Sequence, residues 1–242
     1  MFRLCLPRPQ WTSHHHRHTL IIGLLFTSTL LLTSCSTTAQ QDSPAPPAAR
    51  TSEVAPAAQS DGQAPTTAQK SVKFKQEGGN ERFTLKYKAD GAKLEDASGA
   101  ELARLNVDAD QKVKIKDAGD KVLGYIVPTA GAWKLENAEQ SEALYILRKQ
   151  ADGDYKLETG KDQPVYRIKK RDYGYEIESP DKKSLYKVKE KEGKISLRNA
   201  EEKTILYSKD KTSLIAMACF GFEVLSQEQQ AALAYAVSQS KP

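Results

Sequence analysis

Histidine and cysteine are the residues in this chain whose spacing first suggests chemistry. His14, His15, His16 and His18 form a tight run, and clustered imidazoles are the commonest protein ligands for zinc and its neighbours. These are the chain's four histidines, and all of them precede Cys35. The cysteines are Cys5, Cys35 and Cys219, too few and too dispersed for a disulfide framework. A cut before Cys35 would remove every imidazole and leave Cys219 as the one unmodified thiol. Serine triads, cysteine–histidine pairs and zinc sites would then all lack a necessary member. The expected catalytic, cofactor-binding and metal-binding residues are therefore none, and the chain is expected not to be an enzyme.

Such a cut is what the N-terminus suggests. Arg3, Arg8 and Arg17 stand without an acid in residues 1–19, and a thirteen-residue apolar run follows at Leu20–Leu32. A positive segment before an apolar stretch of this length has the form of a signal peptide and is too short for a confident membrane span. Leu32-Thr33-Ser34-Cys35 then resembles a bacterial lipobox, which implies cleavage before Cys35 and acylation of that cysteine, palmitate included. Several acyl chains, each contributing about 0.8 kcal/mol per buried CH₂, would hold the protein stably on a membrane. The expected location is the cell envelope, at the outer membrane where the organism has one, since Ser36 replaces the aspartate associated with inner-membrane retention.

Charge narrows the partners. The chain has 36 Lys and Arg against 31 Asp and Glu, but Arg3, Arg8 and Arg17 fall in residues 1–34 and no acid does. What remains is nearly balanced and interleaved, the pattern of a solvated surface and not of a nucleic-acid footprint. Nucleic acid is excluded as an expected partner. The membrane, reached through Cys35, and an envelope protein or lipid are retained.

Residues 35–69 carry Pro44, Pro46, Pro47, Pro56 and Pro65 among Ala, Ser, Thr and Gln. A segment so poor in apolar surface cannot offset its ordering entropy and is expected to be a disordered tether, extended at about 3.1 Å per residue.

From residue 70 to 242 the chain repeats. Phe74, Leu94, Ile115, Leu135, Leu157, Ile177 and Leu197 recur every 20 to 22 residues, and from Ile115 onward a tyrosine follows nine or ten positions later, at Tyr125, Tyr145, Tyr166, Tyr186 and Tyr207. Between the two marks lie turn-forming groups such as Asp96-Ala-Ser-Gly99, Asp117-Ala-Gly119 and Ser179-Pro180-Asp181, so each unit reads as a β-hairpin. Side chains alternate within the units: Trp133 and Leu135 against Lys134 and Glu136, Tyr166 and Ile168 against Arg167 and Lys169. That is an antiparallel meander of about 12–14 strands, apolar on one face and Lys/Glu on the other.

The C-terminus supplies a cover for the apolar face. Residues 213–225 are apolar on every side except Glu223, and a helix apolar all round must be buried. Ser226 and Gln229 make a capping-box pattern for a second helix over 227–238. The expected fold is mainly β, a meander closed into a barrel around the first helix.

Lys93-Leu94-Glu95-Asp96-Ala97-Ser98-Gly99-Ala100-Glu101-Leu102-Ala103-Arg104, with Asp210 ahead of the apolar helix, resembles the tubby-C-terminal-like barrels, the group of the LURP-one-related proteins and phospholipid scramblases. The resemblance covers about residues 71–225. It implies a twelve-stranded barrel and a link to membrane lipids, which would leave the first unit, Val72–Tyr87, peripheral. No catalytic motif of that group can be placed on this chain.

Three further features have expected roles. Glu223 is expected at the barrel mouth beside a lysine, Cys219 as a small buried hydrophobe, and the tyrosine row as core, with a ligand-stacking platform as its alternative. The function expected is a membrane-anchored envelope lipoprotein acting as a non-catalytic binding or interaction module. The alternatives are a structural surface lipoprotein with an open single-layer sheet and an enzyme working through carboxylates or lysines alone.

Overall fold

The computed structural model describes residues 70–239; the expected signal peptide, the expected tether and Cys35 lie outside the described residues. Among the described residues, fourteen strands follow one another before the first helix: β1 Ser71–Lys75, β2 Glu81–Lys88, β3 Gly91–Asp96, β4 Glu101–Val107, β5 Val113–Asp117, β6 Val122–Thr129 and β7 Ala132–Glu136, then β8 Ala143–Lys149, β9 Tyr155–Thr159, β10 Pro164–Arg171, β11 Gly174–Glu178, β12 Ser184–Lys191, β13 Lys194–Asn199 and β14 Thr204–Ser208. Each is antiparallel to its sequence neighbours, and β1 pairs with β14 as well as β2, closing the barrel. The first unit is thus not peripheral. Without β1 and β2 the ring would be open between β3 and β14. The count of fourteen exceeds the twelve that the family resemblance implies.

The seven apolar marks all stand on odd-numbered strands and point inward, each at 0 or 1% exposure. Their cross-strand partners continue the girdle, as in Phe74 with Phe83, Leu105 with Ile115, Leu147 with Leu157 and Ile168 with Ile177. A second device repeats beside them. In every odd-to-even hairpin the register slips next to the mark, for example between Ile115 and Lys116 and between Leu197 and Arg198. Each of these turns also holds a residue at positive φ: Gly78 and Gly79 in the first, then Gly99, Asp120, Gln140, Asp162, Lys182 and Glu202. A left-handed residue with a bulge is a standard close for a short hairpin loop, and the extra twist it introduces helps a sheet curl. One bulge per hairpin, all at the same rim, lets the meander close on itself.

The turns are held by a polar side chain at their first residue. Asp117 Oδ1 accepts from the amides of Gly119 (2.9 Å) and Lys121 (3.0 Å), and Asp96 Oδ1 accepts from Ser98 and Ala100. Asn137, Thr159, Ser179 and Asn199 do the same at their own hairpins.

A ring of fourteen strands is too wide for its own side chains to fill. Two helices occupy the lumen: α1, Leu214–Cys219, and α2, Gln227–Gln239. The helix expected over 213–225 is therefore shorter. It begins at Ser213, whose hydroxyl caps the amide of Ala216, and ends at Phe220. At the adjoining Gly221 a Cβ would stand 2.8 Å from Ile177 Cδ1, so the chain turns there against the barrel wall. The rest of the apolar run is the turn between the two helices, with Phe222 and Leu225 buried and Glu223 and Val224 exposed at the rim. The second helix starts at the expected box, with the Ser226 amide donating to Gln229 Oε1 (3.0 Å) and the Gln229 amide to Ser226 Oγ (3.4 Å). It then runs back through the lumen beside α1.

The two legs lean on different arcs of the wall, α1 on β11–β13 and α2 mainly on β5–β7. Ala216, Ala218, Ala231, Ala232, Ala234 and Ala236 are all buried, and their small size lets two helices share one barrel. At one rim Tyr166 stacks on Phe222 (5.7 Å); at the other Tyr87 packs on Tyr235 (5.5 Å). The first described residue, Lys70, and the end of α2 meet at that second rim, where Tyr87 Oη lies 3.3 Å from Ser238 Oγ and the Tyr87 amide donates to the Lys70 carbonyl.

Candidate functional site

The three features singled out in the sequence resolve differently. Cys219 is fully buried, its Sγ donates to the Ile215 carbonyl (3.3 Å), and burial pushes its pKa far up, so the thiol is a packing group. Glu223 is exposed at the hairpin rim, but its described partner is the Tyr186 hydroxyl and not a lysine. It receives this bond because Tyr186 pairs with Ile177 and so points inward beneath the helical turn.

The tyrosine row divides in two. Tyr145, Tyr166 and Tyr186 lie opposite the inward marks Leu135, Leu157 and Ile177 and belong to the interior. Tyr125 and Tyr207 point outward, opposite Lys114 and Ser196 respectively. The reason is hairpin length. Where Ile115 pairs with Gly124 and Leu197 with Leu206, a tyrosine ten positions after the mark is one step past the inward position. The β7–β8 hairpin has one more residue between its last paired positions, Glu136 and Ala143 against Lys116 and Val122, so Tyr145 at the same spacing returns to the inside.

Outside, ionic side chains form ladders across the strands. Glu95 takes Lys86 and Lys93, Glu101 takes Lys93 (2.9 Å) and Arg104, and Arg104 continues to Asp120 (3.1 Å). On the far wall Arg171 bonds both Glu176 (2.9 Å) and Glu178 (3.0 Å). Asp154 is pushed up by its burial, but the Lys169 ammonium and the Lys170 amide outweigh this and hold it below the usual range. Among the described residues, every carboxyl group with a displaced pKa is displaced downward by cationic, hydroxyl or amide donors. An ionic exterior around an apolar lumen is the reverse of a membrane-spanning barrel, whose outer face must be apolar.

One part of the wall departs from the ladder pattern. Across β12, β13, β14 and β1 the register sets Lys189 beside Ser196, Ser196 beside Tyr207, and Tyr207 beside Lys75. Ser196 is a short side chain between long ones, and only 2% of it is exposed. It forms the floor of an open hollow of about 610 Å³, lined by Tyr173, Lys189, Glu190, Lys191, Glu192, Lys194, Ser196, Arg198 and Lys209. A second hollow of about 420 Å³, containing Glu77, Gly78, Gly79, Thr204 and Tyr207, shares Lys194 and Lys209 with the first.

Charge in this trough is only partly compensated. Glu202 bonds Lys187 and Lys189 (2.7 Å each), which hold its carboxyl down at about 2. Lys191 has Glu192 at 3.8 Å. Arg198 donates to Ser196 Oγ (3.4 Å) and to the Glu202 carbonyl (3.3 Å), but neither it, Lys194 nor Lys209 enters an ion pair among the described residues. Lys189 and Lys194 lie over the rings of Tyr173 (5.1 Å) and Tyr207 (4.8 Å). Register between strands distant in sequence assembles this site, so no local motif announces it. The alternation Lys194, Ser196, Arg198 was the one available signal.

No group of three or more His, Cys, Asp or Glu side chains among the described residues could hold a metal ion, and no described helix is long and apolar enough to cross a membrane. Comparison with known proteins finds no matching family model, no similar curated protein and no similar solved structure.

Proposed function

We propose that this chain is a lipid-tethered, non-catalytic binding module of the cell envelope, anchored through Cys35 and recognising its partner with the outer wall of the barrel. The observation that carries the reading is the filled lumen. Met217, Ala218, Cys219, Phe222 and Ala231 are all at 0% exposure inside the ring, so recognition falls to the outer wall, where the hollows of about 610 and 420 Å³ lie, and not to the lumen, which keeps a smaller hollow of about 350 Å³ at its mouth beside Val113 and Tyr235. Carboxylates bound into ion pairs or turns favour binding over catalysis, because a general acid would need its pKa raised. The alternative of a structural surface lipoprotein rested on an open single-layer sheet, and the sheet is closed. Common ancestry with the tubby-C-terminal-like barrels is proposed on the sequence resemblance of Lys93–Arg104 and of Asp210 with the apolar helix after it.

The anchor is the testable step. Replacing Cys35→Ala in a bacterial host should abolish metabolic labelling by palmitate and shift the protein from the membrane fraction to precursor or soluble material. Labelling equal to that of the unmodified chain would overturn the lipoprotein reading.

A further inference from the structure

We propose that the trough above Ser196 is a binding site for an acidic saccharide, with sugar rings lying along β13 and their acid groups on Arg198, Lys194 and Lys209. The proposal rests on the envelope-binding reading, since it names the ligand class for the same wall. Three observations converge on it. The first is shape: a floor made by one small residue between tall neighbours gives an open hollow of about 610 Å³, adjoined by one of about 420 Å³ that shares Lys194 and Lys209. Such dimensions suit a small organic chain more than a single inorganic anion. The second is charge. Five cations against two carboxylates line the larger hollow, and three of those cations have no ion-pair partner among the described residues. Elsewhere on the barrel, Arg104, Arg148 and Arg171 each bond two carboxylates. The guanidinium of Arg198, without a carboxylate partner among the described residues and set in the trough, is placed to take a ligand carboxylate in a planar, paired fashion.

The third observation is the presence of aromatic walls. Tyr173 borders the larger hollow and Tyr207 the smaller, each half-buried and steadied by a lysine. The C–H faces of sugar rings pack against aromatic rings, whereas a bare polyanion gains nothing from them. The Ser196 hydroxyl at the floor, already oriented by Arg198 Nε and the Lys189 carbonyl, adds polar contact without bulk.

Titration of the purified full chain with trigalacturonate, maltotriose and tripolyphosphate at low salt tests the site. Trigalacturonate should bind, with maltotriose at least tenfold weaker and tripolyphosphate at least fivefold weaker. Arg198→Gln should weaken trigalacturonate about tenfold, and Lys209→Gln, which removes no described contact, several-fold. Ser196→Val keeps every charge but raises the floor, and should weaken binding about tenfold in a chain that still melts in one cooperative transition. Lys121→Gln, on an exposed turn elsewhere, should change affinity less than twofold. No binding of trigalacturonate would overturn the proposal, as would equal sensitivity to Lys121→Gln or tripolyphosphate binding as tightly as the sugar acid. Cys35→Ala should bind normally, so loss of the anchor and loss of the ligand site are separate results.

Discussion

At the scale of single residues, backbone conformation decides more than side-chain chemistry does. Gly91, at the start of β3, has φ 147°, and a Cβ there would stand 1.8 Å from the Leu105 carbonyl oxygen of the neighbouring strand. No side-chain adjustment relieves a collision with backbone. Gly91→Ala should therefore destabilise the barrel by about 2 kcal/mol or more, read as a lowered denaturation midpoint at constant slope. Lys182 presents the opposite case. It is exposed in the β11–β12 turn at φ 68°, a left-handed conformation that costs a side chain roughly 1–2 kcal/mol. The added unfolded-state freedom of glycine cancels part of the relief, so Lys182→Gly should gain about 0.5–1 kcal/mol, a rise of a few degrees in melting temperature. A fall would show that the lysine side chain contributes more than its strained backbone costs.

At the scale of elements, the hairpin repeat and the buried helical hairpin depend on each other. The inward girdle needs cover, and the apolar legs of α1 and α2 have no other place to be buried. Deleting residues 213–242 should leave an aggregating or unfolded sheet, because a ring of apolar side chains from Phe74 to Leu206 loses its packing partners. The milder change Phe222→Ala empties the space under Tyr166 and should cost about 3–5 kcal/mol. A truncated chain that stays monomeric with an unchanged melting curve would make the helices accessories. The repeat was legible in the sequence because every mark sits on the buried face of an odd strand, where alternation and turn chemistry are local signals. The capping box at Ser226 was legible for the same reason, whereas closure was inferred from the need to cover the apolar run, with an open sheet as the alternative, because the β1–β14 pairing joins residues far apart in sequence. The end of α1 at Phe220, the return of α2 through the lumen and the outward turn of Tyr125 and Tyr207 were not. Each depends on the width of the lumen or on the length of a particular hairpin, which are properties of the assembled ring. The trough over Ser196 was hidden for the same physical reason, since its walls come from β12, β13, β14 and the turn before β11.

At the scale of the whole molecule, the described barrel holds charge in paired ladders and contains no histidine, because all four histidines precede Cys35. Its stability should therefore respond to pH only at the extremes. Glu202 is held at about 2 by the Lys187 and Lys189 ammonium groups, against an ordinary value of 4.5. Glu95 is likewise lowered by Lys86, and Glu101 by Lys93. A carboxyl group whose folded pKa lies below its unfolded one contributes stability that is fully present above the unfolded value. That contribution is lost as pH falls through the folded one. The loss should run from about pH 4.5 down to about pH 2. At the alkaline end burial pushes Tyr155 up to about 12 from 10.0. Here the unfolded chain ionises first, so that contribution is complete below pH 10 and disappears as pH approaches 12. Between pH 5 and pH 9 the melting temperature should be nearly flat, without the step near pH 6.5 that a buried or paired histidine would give. Added salt should soften the acid-side decline, because the ladders lie on the solvated wall where screening reaches them. Thermal melts across pH 2–12 at two ionic strengths check both statements. A pronounced transition between pH 5 and 8 would mean that a group outside residues 70–239, the clustered histidines foremost, is coupled to the fold.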